Sequence, residues 1–489
     1  MSGSRRDDAL VLLAAALPLV WLLLREQAIA GAAGFPLDDS WIHLHFARNL
    51  AEGAGFAYNA GEPVSGSTAP LWTLLLAAGA AVAGASPAMA KIVGVGCGIA
   101  AALVARRAAL AFGAPAPAAL TAAVLLLWTG AMAWGALSGM EVTLAALLVA
   151  SALLALARNA TWTAALAGAL AALARPEALL LLPLLVVARP LTARRVLVFG
   201  LVAVAVLAPF VVFSYATVGR PLPATAAAKV EGGLLGWLAG IREPATVTWL
   251  TRPRDFALEW LRWLFQTHVL LPLALPAVAA AWWRAGRALG TVGLALVAHP
   301  LGMALLAPYR GPAFQEGRYS IHLLPIAVVL LAVLAAGTEW RPPRVALAAV
   351  LLAALVALAP AAERYAWGVQ NINAMQVHLG RWLDAHTARS ATLAVNDIGA
   401  IAFFSRRPVV DLMGLVTPEI LPYRREGEAG LVRYIGQRCP DYVVIFPTWF
   451  PRLVERRDLL SPVYAVRLER NEVAGGPEMV VYRLARCAV

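Results

Sequence analysis

Long apolar runs separated by short polar loops recur along the first 361 residues of the chain. A helix that crosses a bilayer needs about 20 predominantly apolar residues, and fewer where neighbouring helices bury its ends. The pattern predicts eleven membrane-spanning helices, at residues 9–28, 90–109, 117–134, 141–157, 160–174, 177–190, 195–214, 268–284, 289–307, 321–338 and 343–361. The first run follows Arg5 and Arg6 as in a signal peptide, but no small-residue cleavage site comes after it. We therefore interpret it as an uncleaved helix.

The positive charges set the direction in which these helices cross the membrane. With the amino terminus in the cytoplasm, the inner loops hold Arg5, Arg6, Arg106, Arg107, Arg158, Arg189, Arg194, Arg195, Arg284, Arg287, Arg341 and Arg344. The short outer loops hold only Arg175, Arg310 and Arg318, and this asymmetry follows the positive-inside rule. The apolar run at 71–85 would reverse the asymmetry if it crossed. We therefore expect a juxtamembrane or re-entrant helix there, on the outer face.

Three outer segments are long: residues 29–89, 215–267 and 362–489. In the last of them the apolar runs shorten to strand length, and helical patterns at 363–386 and 426–437 lie between them. The predicted strands are Thr392–Val395, Val409–Leu412, Tyr442–Phe446, Tyr464–Leu468 and Met479–Leu484, with a hairpin turn at 474–477. The expected architecture is a polytopic α-helical membrane domain over residues 1–361, with outer loops 29–89 and 215–267, and an exoplasmic α/β domain over residues 362–489.

Composition is typical of a membrane protein and argues against a soluble domain and against a nucleic-acid-binding protein. Hydrophobic residues make up 61% of the 489 residues and charged residues 14%, with a mean hydropathy of +0.72, whereas soluble domains have about 45–50% and about 25%. The net charge of +12 does not indicate nucleic-acid binding, because the arginines are dispersed over short loops. Cys439 and Cys487 lie in the polar tail and could pair in an oxidising compartment. No Cys/His cluster indicates zinc.

Two adjacent carboxylates, Asp38 and Asp39, follow the first predicted helix directly, at the level of the outer interface. Carboxylates in such a place are costly to desolvate and need a partner. One could act as the general base that removes the proton from an acceptor hydroxyl, and the other could hold a divalent ion or orient the site. Alternatively, Asp39 or Ser40 is the N-cap of a helical run that continues to Ala51. These interpretations are compatible.

The residues around this pair offer fewer signals. His43 lies four residues after Asp39, on the same helical face, and could contact it; otherwise it is a packing or hydrogen-bonding histidine. His45 would not share a face with His43, which argues against a chelating pair. An aromatic belt at the membrane interface is expected from Trp41, Tyr58, Trp72, Trp128 and Trp134.

Ordered motifs begin at these aspartates. They read Asp-Asp at 38–39, Phe-Ala-Arg-Asn-Leu at 46–50, Glu-Gly-Ala-Gly-Phe at 52–56, Tyr-Asn-Ala-Gly-Glu-Pro-Val at 58–64 and Ser-Thr-Ala-Pro-Leu-Trp at 67–72. Together they resemble the opening of the GT-C superfamily of membrane glycosyltransferases. The resemblance is closest to the branch of the mycobacterial terminal arabinofuranosyltransferases, which use decaprenyl-phosphate arabinose.

Later motifs extend the resemblance over most of the chain. They are Ser-Gly-Met-Glu at 138–141, Arg-Pro-Glu at 175–177, Pro-Leu-Pro-Ala-Thr-Ala-Ala-Ala-Lys at 221–229, Gly-Arg-Tyr at 317–319 followed by Pro325, Asn-Asp-Ile-Gly-Ala at 396–400 and Val-Asp-Leu-Met-Gly-Leu-Val at 410–416. The resemblance implies that Glu141 is a second acidic residue of the site. Asp397 and Asp411 fall at strand ends in the tail, where they could cap helices or help the tail domain to shape acceptor binding.

A lipid-phosphate sugar presents its phosphate at the outer interface, where cations must stabilise the charge on the leaving phosphate. The outer, membrane-near cations are Lys229, Arg318, Arg310 and Arg175. Of these, Lys229, Arg318 and Arg175 are the candidates for this role. Arginine is suited to bidentate phosphate contact and lysine to a point-charge contact. Alternatively, these side chains extend to lipid headgroups or pair with the outer glutamates Glu141, Glu177 and Glu316.

The resemblance implies an enzyme that moves a hexosyl or pentosyl group from a polyprenyl-phosphate donor to a cell-envelope glycan, lipid or protein, with inversion. The reaction would occur on the outer face of a bacterial cytoplasmic membrane. Asp39 is the preferred base and Asp38 the second choice. The sequence requires no cofactor, although Asp38 and Glu141 could hold Mg²⁺ or Mn²⁺. The alternative is a transporter or flippase for a lipid-linked sugar, but the chain shows no paired halves and its ionisable residues collect at one face.

Overall fold

The computed structural model describes residues 2–284, 286–335 and 344–485. Up to residue 372 its regular structure is helical. The α-helices in this part are α1 Ser2–Ala30, α2 Asp38–Ala51, α3 Pro70–Ala83, α4 Pro87–Ala111, α5 Ala116–Trp128, α6 Gly130–Leu137, α7 Val142–Ala157, α8 Thr161–Ala174, α9 Leu181–Val187, α10 Ala193–Val218, α11 Ala224–Ala228, α12 Gly233–Leu238, α13 Arg252–Thr267, α14 Ala274–Arg284, α15 Arg287–Gly293, α16 Ala295–Leu306, α17 Phe314–Gly317, α18 Leu324–Leu334 and α19 Arg344–Ile372.

Within the described ranges, six helical stretches are long and apolar enough to cross a membrane. They are Arg5–Ala30, Pro87–Ala111, Ala193–Val218, Arg287–Leu306, Phe314–Leu334 and Ala348–His386. Helices α5 and α6 form a pair bent by 58°, which would add a seventh span. Shorter apolar helices lie at Pro70–Ala83, Val142–Ala157, Thr161–Ala174, Pro176–Val187 and Leu271–Trp283. The protein is therefore a multi-pass membrane protein. Within the described residues each predicted span coincides with a helix or helix pair, and residues 336–338 and 343 of the last two spans lie outside them. Eleven crossings stay a prediction.

Two features next to the site follow from local sequence. The run at 71–85 forms helix α3, which begins at Pro70, ends before Gly84 and packs against α2, α4 and α8. Helix α8 ends at Ala174 because Arg175 is extended (φ −152°, ψ 117°) and Pro176 begins a 3₁₀ turn over Pro176–Leu180. Proline disfavours helical geometry in the residue before it. Arg175 therefore lies at a chain break between two apolar helices.

The carboxy-terminal part of the chain is a small α/β domain. Its helices are α20 His378–His386, α21 Gly399–Ser405, α22 Leu421–Arg425, α23 Glu428–Arg438 and α24 Pro451–Val454. Its strands are β1 Leu393–Val395, β2 Val409–Asp411, β3 Tyr442–Ile445, β4 Leu460–Arg467 and β5 Glu478–Leu484, in the sheet order β2-β1-β3-β5-β4. Strand β1 pairs in parallel with β2 and β3, and β5 pairs antiparallel with β3 and β4. The five predicted strands and the predicted hairpin are confirmed.

Helix α19 runs through the predicted domain boundary at residues 361 and 362, and a π-helical segment, Asn373–Val377, joins it to α20. The sheet domain then packs back onto the membrane part. Ile42 and Phe46 of α2 share one apolar cluster with Leu393, Val444 and other residues of the sheet. Helix α2 therefore lies between the membrane helices and the sheet domain.

Two further expectations concern single side chains. The aromatic belt is wrong for most of its members, because Trp41, Tyr58, Trp72 and Trp134 are buried among protein atoms. These rings form part of the core of the protein. Among the cysteines, Cys97 is buried and free, whereas Cys439 is disulfide-bonded. The predicted partner of Cys439, Cys487, lies outside the described residues.

Candidate active site

Helix α2 turns its two aspartates in different directions. Successive residues of an α-helix point about 100° apart because the helix has 3.6 residues per turn. Asp39 lines a pocket, whereas Asp38 is 6% exposed and faces the sheet domain. Helix α2 begins at Asp38 with Leu37 as its N-cap and without a side-chain cap. The capping role considered for Asp39 or Ser40 is therefore wrong, and the Ser40 hydroxyl instead donates to the carbonyl of Ser138 at 2.6 Å.

The pocket is lined by six of the seven candidate site residues: Asp39, His43, Glu141, Arg175, Lys229 and Arg318. Its remaining lining residues are Ile42, Gly66, Ser67, Thr68, Met140, Thr225, Tyr319 and Leu415. These residues come from helix α2, from loops and helix ends that lie far apart in the sequence, and from one loop of the sheet domain. Motifs that are separate in the sequence thus meet in the fold and form one site.

Asp39 lies between two of the candidate phosphate-binding cations. Arg318 Nη1 donates to Asp39 Oδ2 at 2.7 Å, and Lys229 Nζ lies 4.0 Å from the same oxygen. Burial raises the pKa of Asp39, but the charges of Arg318 and Lys229 outweigh it and hold the pKa below its usual range. The side chain keeps 32% of its surface exposed. The carboxylate is therefore ionised, accessible from the pocket and already paired.

Lys229 is the residue that follows helix α11, and contacts of that helix fix its position. The hydroxyl of Thr225 lies within hydrogen-bonding distance of the main-chain carbonyls of Gly66 and Leu415, the latter at 3.0 Å. The ammonium group of Lys229 also lies 5.5 Å from the centre of the Tyr309 ring, a cation–π contact. Helix α11 is thus attached both to the loop between α2 and α3 and to the sheet domain.

A second charged group lies on the other side of the pocket. Arg175 Nη1 pairs with Glu141 Oε1, and its Nε lies 3.1 Å from Glu177. His43 Nε2 is 3.4 Å from Glu141 Oε2. Burial raises the pKa of Glu141, but the guanidinium of Arg175 and the His43 ring lower it further, to about 2. Glu141 is therefore an anion that holds Arg175 and orients His43.

Tyr319 is a site residue that received no role from the sequence. Its ring centre lies 4.8 Å from the guanidinium carbon of Arg175 and 5.1 Å from that of Arg318. Its hydroxyl accepts a hydrogen bond from Arg318 Nη2 at 3.1 Å. One aromatic ring therefore spaces two cations that would otherwise repel. The Gly-Arg-Tyr motif contained this residue, but spacing alone did not show that its ring would meet Arg175.

Asp38 lies outside the pocket and is bound to the sheet domain. Its Oδ2 accepts a hydrogen bond from the backbone amide of Gly399 at 2.6 Å, and its Oδ1 accepts one from Ala400 at 2.8 Å. Asp397 lies close enough to Asp38 for the two carboxyl charges to interact, and Gln376 Nε2 donates to Asp397 Oδ2 at 2.7 Å. Asp38 therefore has partners that differ entirely from those of Asp39.

The two tail aspartates at strand ends differ in their contacts. Asp411 accepts hydrogen bonds from the backbone amides of Met413 and Val416 at 2.7 and 2.9 Å and also from Leu415. Burial raises the pKa of Asp411 to about 6 in spite of these three bonds. Asp411 thus shapes the loop that brings Leu415 into the pocket wall. Neither Asp397 nor Asp411 is the N-cap of a described helix.

The described residues contain no group of three or more His, Cys, Asp or Glu side chains arranged to hold a metal ion. Of the two expected ligands, Glu141 is paired with Arg175, and Asp38 accepts hydrogen bonds from backbone amides. Each carboxylate already has partners of its own. A site for Mg²⁺ or Mn²⁺ between Asp38 and Glu141 stays a prediction.

Comparison with known proteins places this geometry in a class. The sequence matches no curated protein. A family described as a domain of unknown function, DUF8728, matches residues 370–482, which cover most of the sheet domain. Among solved structures, ArnT from Cupriavidus metallidurans bound to undecaprenyl phosphate has a TM-score of 0.61 at 14% identity, over 98% of this chain and 99% of that chain.

Two further solved structures are similar to this chain to different degrees. The apo Archaeoglobus fulgidus oligosaccharyltransferase has a TM-score of 0.57 at 13% identity, over 89% of this chain and 69% of that chain. A mutant of the arabinofuranosyltransferase AftD from Mycobacteria has a TM-score of 0.46 at 17% identity, over 97% and 41% of the two chains. The chain has the fold of the GT-C membrane glycosyltransferases. The resemblance carried by the sequence motifs is confirmed at the level of the fold.

Proposed function

We propose that this protein transfers a sugar from a polyprenyl-phosphate donor to a hydroxyl acceptor of the cell envelope, on the outer face of the cytoplasmic membrane. The observation that supports the proposal most strongly is the pocket itself. One accessible carboxylate, Asp39, lies among three cations, Arg318, Lys229 and Arg175. Glycosyl transfer from a phosphate needs a base and groups that stabilise negative charge, and these residues can supply both.

In the proposed reaction the acceptor hydroxyl attacks the anomeric carbon of the sugar. The bond between that carbon and the phosphate oxygen breaks as the new bond to the acceptor oxygen forms. The electron pair of the broken bond leaves with the polyprenyl phosphate, and Asp39 takes the acceptor proton. Direct displacement inverts the anomeric carbon. Arg318, Lys229 and Arg175 stabilise the charge that grows on the phosphate.

The donor phosphate and Asp39 compete for the same cations. Arg318 and Lys229 contact Asp39 in the structure, and both are the groups that a phosphate would bind. When the phosphate takes these contacts, Asp39 loses part of the positive charge that depresses its pKa and becomes a stronger base. Donor binding thus activates the base and favours an order in which the donor binds first.

The chemistry of the donor is also supported by the fold comparison, since ArnT has been crystallised with undecaprenyl phosphate bound. We assign the acceptor to a cell-envelope glycan, lipid or protein that approaches between the pocket and the sheet domain, where Leu415 forms part of the wall. The domain limits proposed are residues 1–361 for the membrane domain and 362–489 for the exoplasmic domain. A hexose and a pentose both remain candidates for the sugar.

The test is donor turnover by the purified protein with a panel of synthetic polyprenyl-phosphate sugars and envelope acceptors, with and without EDTA. We expect one donor to be consumed with release of one equivalent of free polyprenyl phosphate. A flippase, the alternative class, would move the donor across a vesicle membrane and leave it intact. Transbilayer movement without release of polyprenyl phosphate would therefore replace the transferase with the transporter. Loss of turnover in EDTA that Mg²⁺ or Mn²⁺ restores would add the metal ion.

A further inference from the structure

We infer that Asp38 is a positioning residue that fastens helix α2 to the sheet domain, so that this domain sets the position of Asp39. The inference rests on the proposed function, because it concerns how the proposed base is held. It assigns different roles to two adjacent carboxylates that look equivalent in the sequence. It also gives the sheet domain a part in catalysis, in addition to contact with the acceptor.

The first argument is the geometry of the Asp38 carboxylate. Its two oxygens accept hydrogen bonds from two consecutive backbone amides, those of Gly399 and Ala400, at 2.6 and 2.8 Å. Such hydrogen bonds to an ionisable acceptor are among the strong ones in proteins. The carboxylate is 6% exposed and does not line the pocket. It therefore cannot reach an acceptor hydroxyl while these bonds are in place.

The second argument is the partner of this carboxylate. The carboxyl groups of Asp397 and Asp38 are close enough for their charges to interact. Burial and the charge of Asp397 raise the pKa of Asp38 well above its usual range. The other polar groups that face the pair are Gln376, which donates to Asp397, the Tyr58 side chain and Asp39. The pair is a buried polar connection that neither partner can make alone.

The third argument is that the contact continues along the helix. Arg48 Nη1 of α2 donates to the carbonyl of Phe403 in α21 at 2.7 Å. The ring of Trp41 packs against the rings of Phe403 and Phe404, with centroids 5.2 and 4.9 Å apart. Helix α2 is thus attached to α21 through Asp38 and again through Arg48, about three turns later. Rotation of α2 would break both attachments and would move Asp39 away from Arg318.

Close packing at Gly399 provides the test. A Cβ added at Gly399 would collide with the main-chain carbonyl and the carboxylate of Asp38. The substitution Gly399→Ala therefore displaces α2 from the sheet domain without changing any charge or any pocket residue. The matched control is Gly200→Ala in helix α10, where an added Cβ meets no atom within 4 Å.

We expect Gly399→Ala to lower kcat about 10- to 100-fold, because misplacing a reacting group by about 1 Å can cost about 100-fold. The KM for the donor should change little, because Arg318, Lys229 and Arg175 stay in place, and Gly200→Ala should match the wild type. A kcat for Gly399→Ala within twofold of the wild type would overturn the inference. Absence of turnover in the wild type with every donor would instead count against the proposed transferase.

A second pair of variants separates positioning from direct catalysis and covers the case in which Gly399→Ala fails to fold. In Asp397→Asn the new amide can donate to the Asp38 carboxylate, so kcat should stay within about threefold of the wild type. In Asp38→Asn the amide nitrogen must face one of the two backbone N–H donors, Gly399 or Ala400, so kcat should fall as in Gly399→Ala. Asp38→Asn activity equal to that of Asp397→Asn would contradict the positioning role.

Hydrogen–deuterium exchange gives a readout that does not depend on activity. We expect the amides of α2 to exchange at least about tenfold faster in Asp38→Asn than in the wild type, because local opening is no longer opposed by the attachment to α21. The amides of α10, which is remote from the contact, should be unchanged. Unaltered exchange of α2 in Asp38→Asn would overturn the inference even if no donor were found.

Discussion

At the scale of the residue, the proposed reaction depends on one carboxylate and three cations of the pocket. These groups differ in their burial and in their pairing partners. Asp39 is partly exposed and paired with Arg318 and Lys229, whereas Arg175 is buried and held by Glu141. The exposed part of the Asp39 side chain leaves its contacts with Arg318 and Lys229 open to a ligand in the pocket, whereas both side chains of the Arg175–Glu141 pair are buried. We therefore expect Arg318 and Lys229 to change partners during the reaction and Arg175 to act as a fixed charge.

Arg318→Ala should weaken binding of the donor phosphate by about 10- to 100-fold, since a hydrogen bond to a charged group contributes about 1.5–3 kcal/mol. Arg318→Lys should restore only part of this loss, because an ammonium cannot make a bidentate contact. The measurement is the dissociation constant of polyprenyl phosphate in detergent micelles. The control is Arg254→Ala, an exposed arginine paired with its neighbour Asp255. Equal affinity of Arg318→Ala and the control would remove Arg318 from the phosphate site.

The lowered pKa of Glu141 predicts how the stability of the folded protein depends on pH. Its pKa is lowered in the folded protein to about 2, whereas an unfolded glutamate has a pKa of about 4.3. A depressed pKa means that the ionised form stabilises the fold, so this contribution is present above about pH 4.3 and is lost as the pH falls towards 2. The melting temperature of the wild type should therefore drop between pH 5 and 3 more steeply than that of Glu141→Gln. Parallel curves would contradict the ion pair with Arg175.

At the scale of the element, sequence patterns predicted helices and strands well and side-chain direction poorly. Each of the five strands was predicted because its apolar run is short and bounded by polar turns. The number of crossings was harder, because helices such as Val142–Ala157 and Thr161–Ala174 are shorter than a bilayer is thick. The sequence could not show which aspartate of α2 enters the pocket, because that depends on the rotation of the helix against α21.

Sequence analysis also missed some site residues, because their place in the pocket depends on how distant segments pack together. The motifs indicated Asp39, Lys229 and Arg318, because charged residues at an outer interface need a reason to be there. They gave no role to Thr225 or Leu415, which are uncharged and enter the pocket only because distant segments pack together. Such residues become visible when α11 and the sheet domain are seen to meet in space.

The hydrogen bonds that hold helix α11 can be tested by a substitution. Thr225→Val keeps the shape of the side chain but removes the hydroxyl that lies between the carbonyls of Gly66 and Leu415. Lys229 should then be held less firmly, and the donor KM should rise about five- to tenfold, which corresponds to the loss of about 1 kcal/mol. The control is Thr121→Val, whose hydroxyl bonds only within its own helix. An unchanged donor KM would mean that α11 does not position Lys229.

At the scale of the whole molecule, the proposed function requires the pocket and the sheet domain to lie on the outer side of the membrane. The distribution of arginines in the loops predicts this orientation with the amino terminus inside. Single cysteines at two exposed positions test it: Ser390→Cys in the sheet domain and Arg158→Cys in a predicted inner loop. A membrane-impermeant maleimide should label the first in intact cells, and the second only after permeabilisation. The reverse pattern would contradict the orientation.

Asp39 is the proposed base of a sugar transfer, and the rate at which polyprenyl phosphate is released measures the activity that depends on this base. With the accepted donor and acceptor, Asp39→Asn should lower kcat by at least about 100-fold, the lower range for general-base catalysis. Its affinity for the donor should be retained or increased, because Arg318 and Lys229 are freed. Asp255→Asn, at an exposed carboxylate, should match the wild type. Release of polyprenyl phosphate by Asp39→Asn at the wild-type rate would contradict the account.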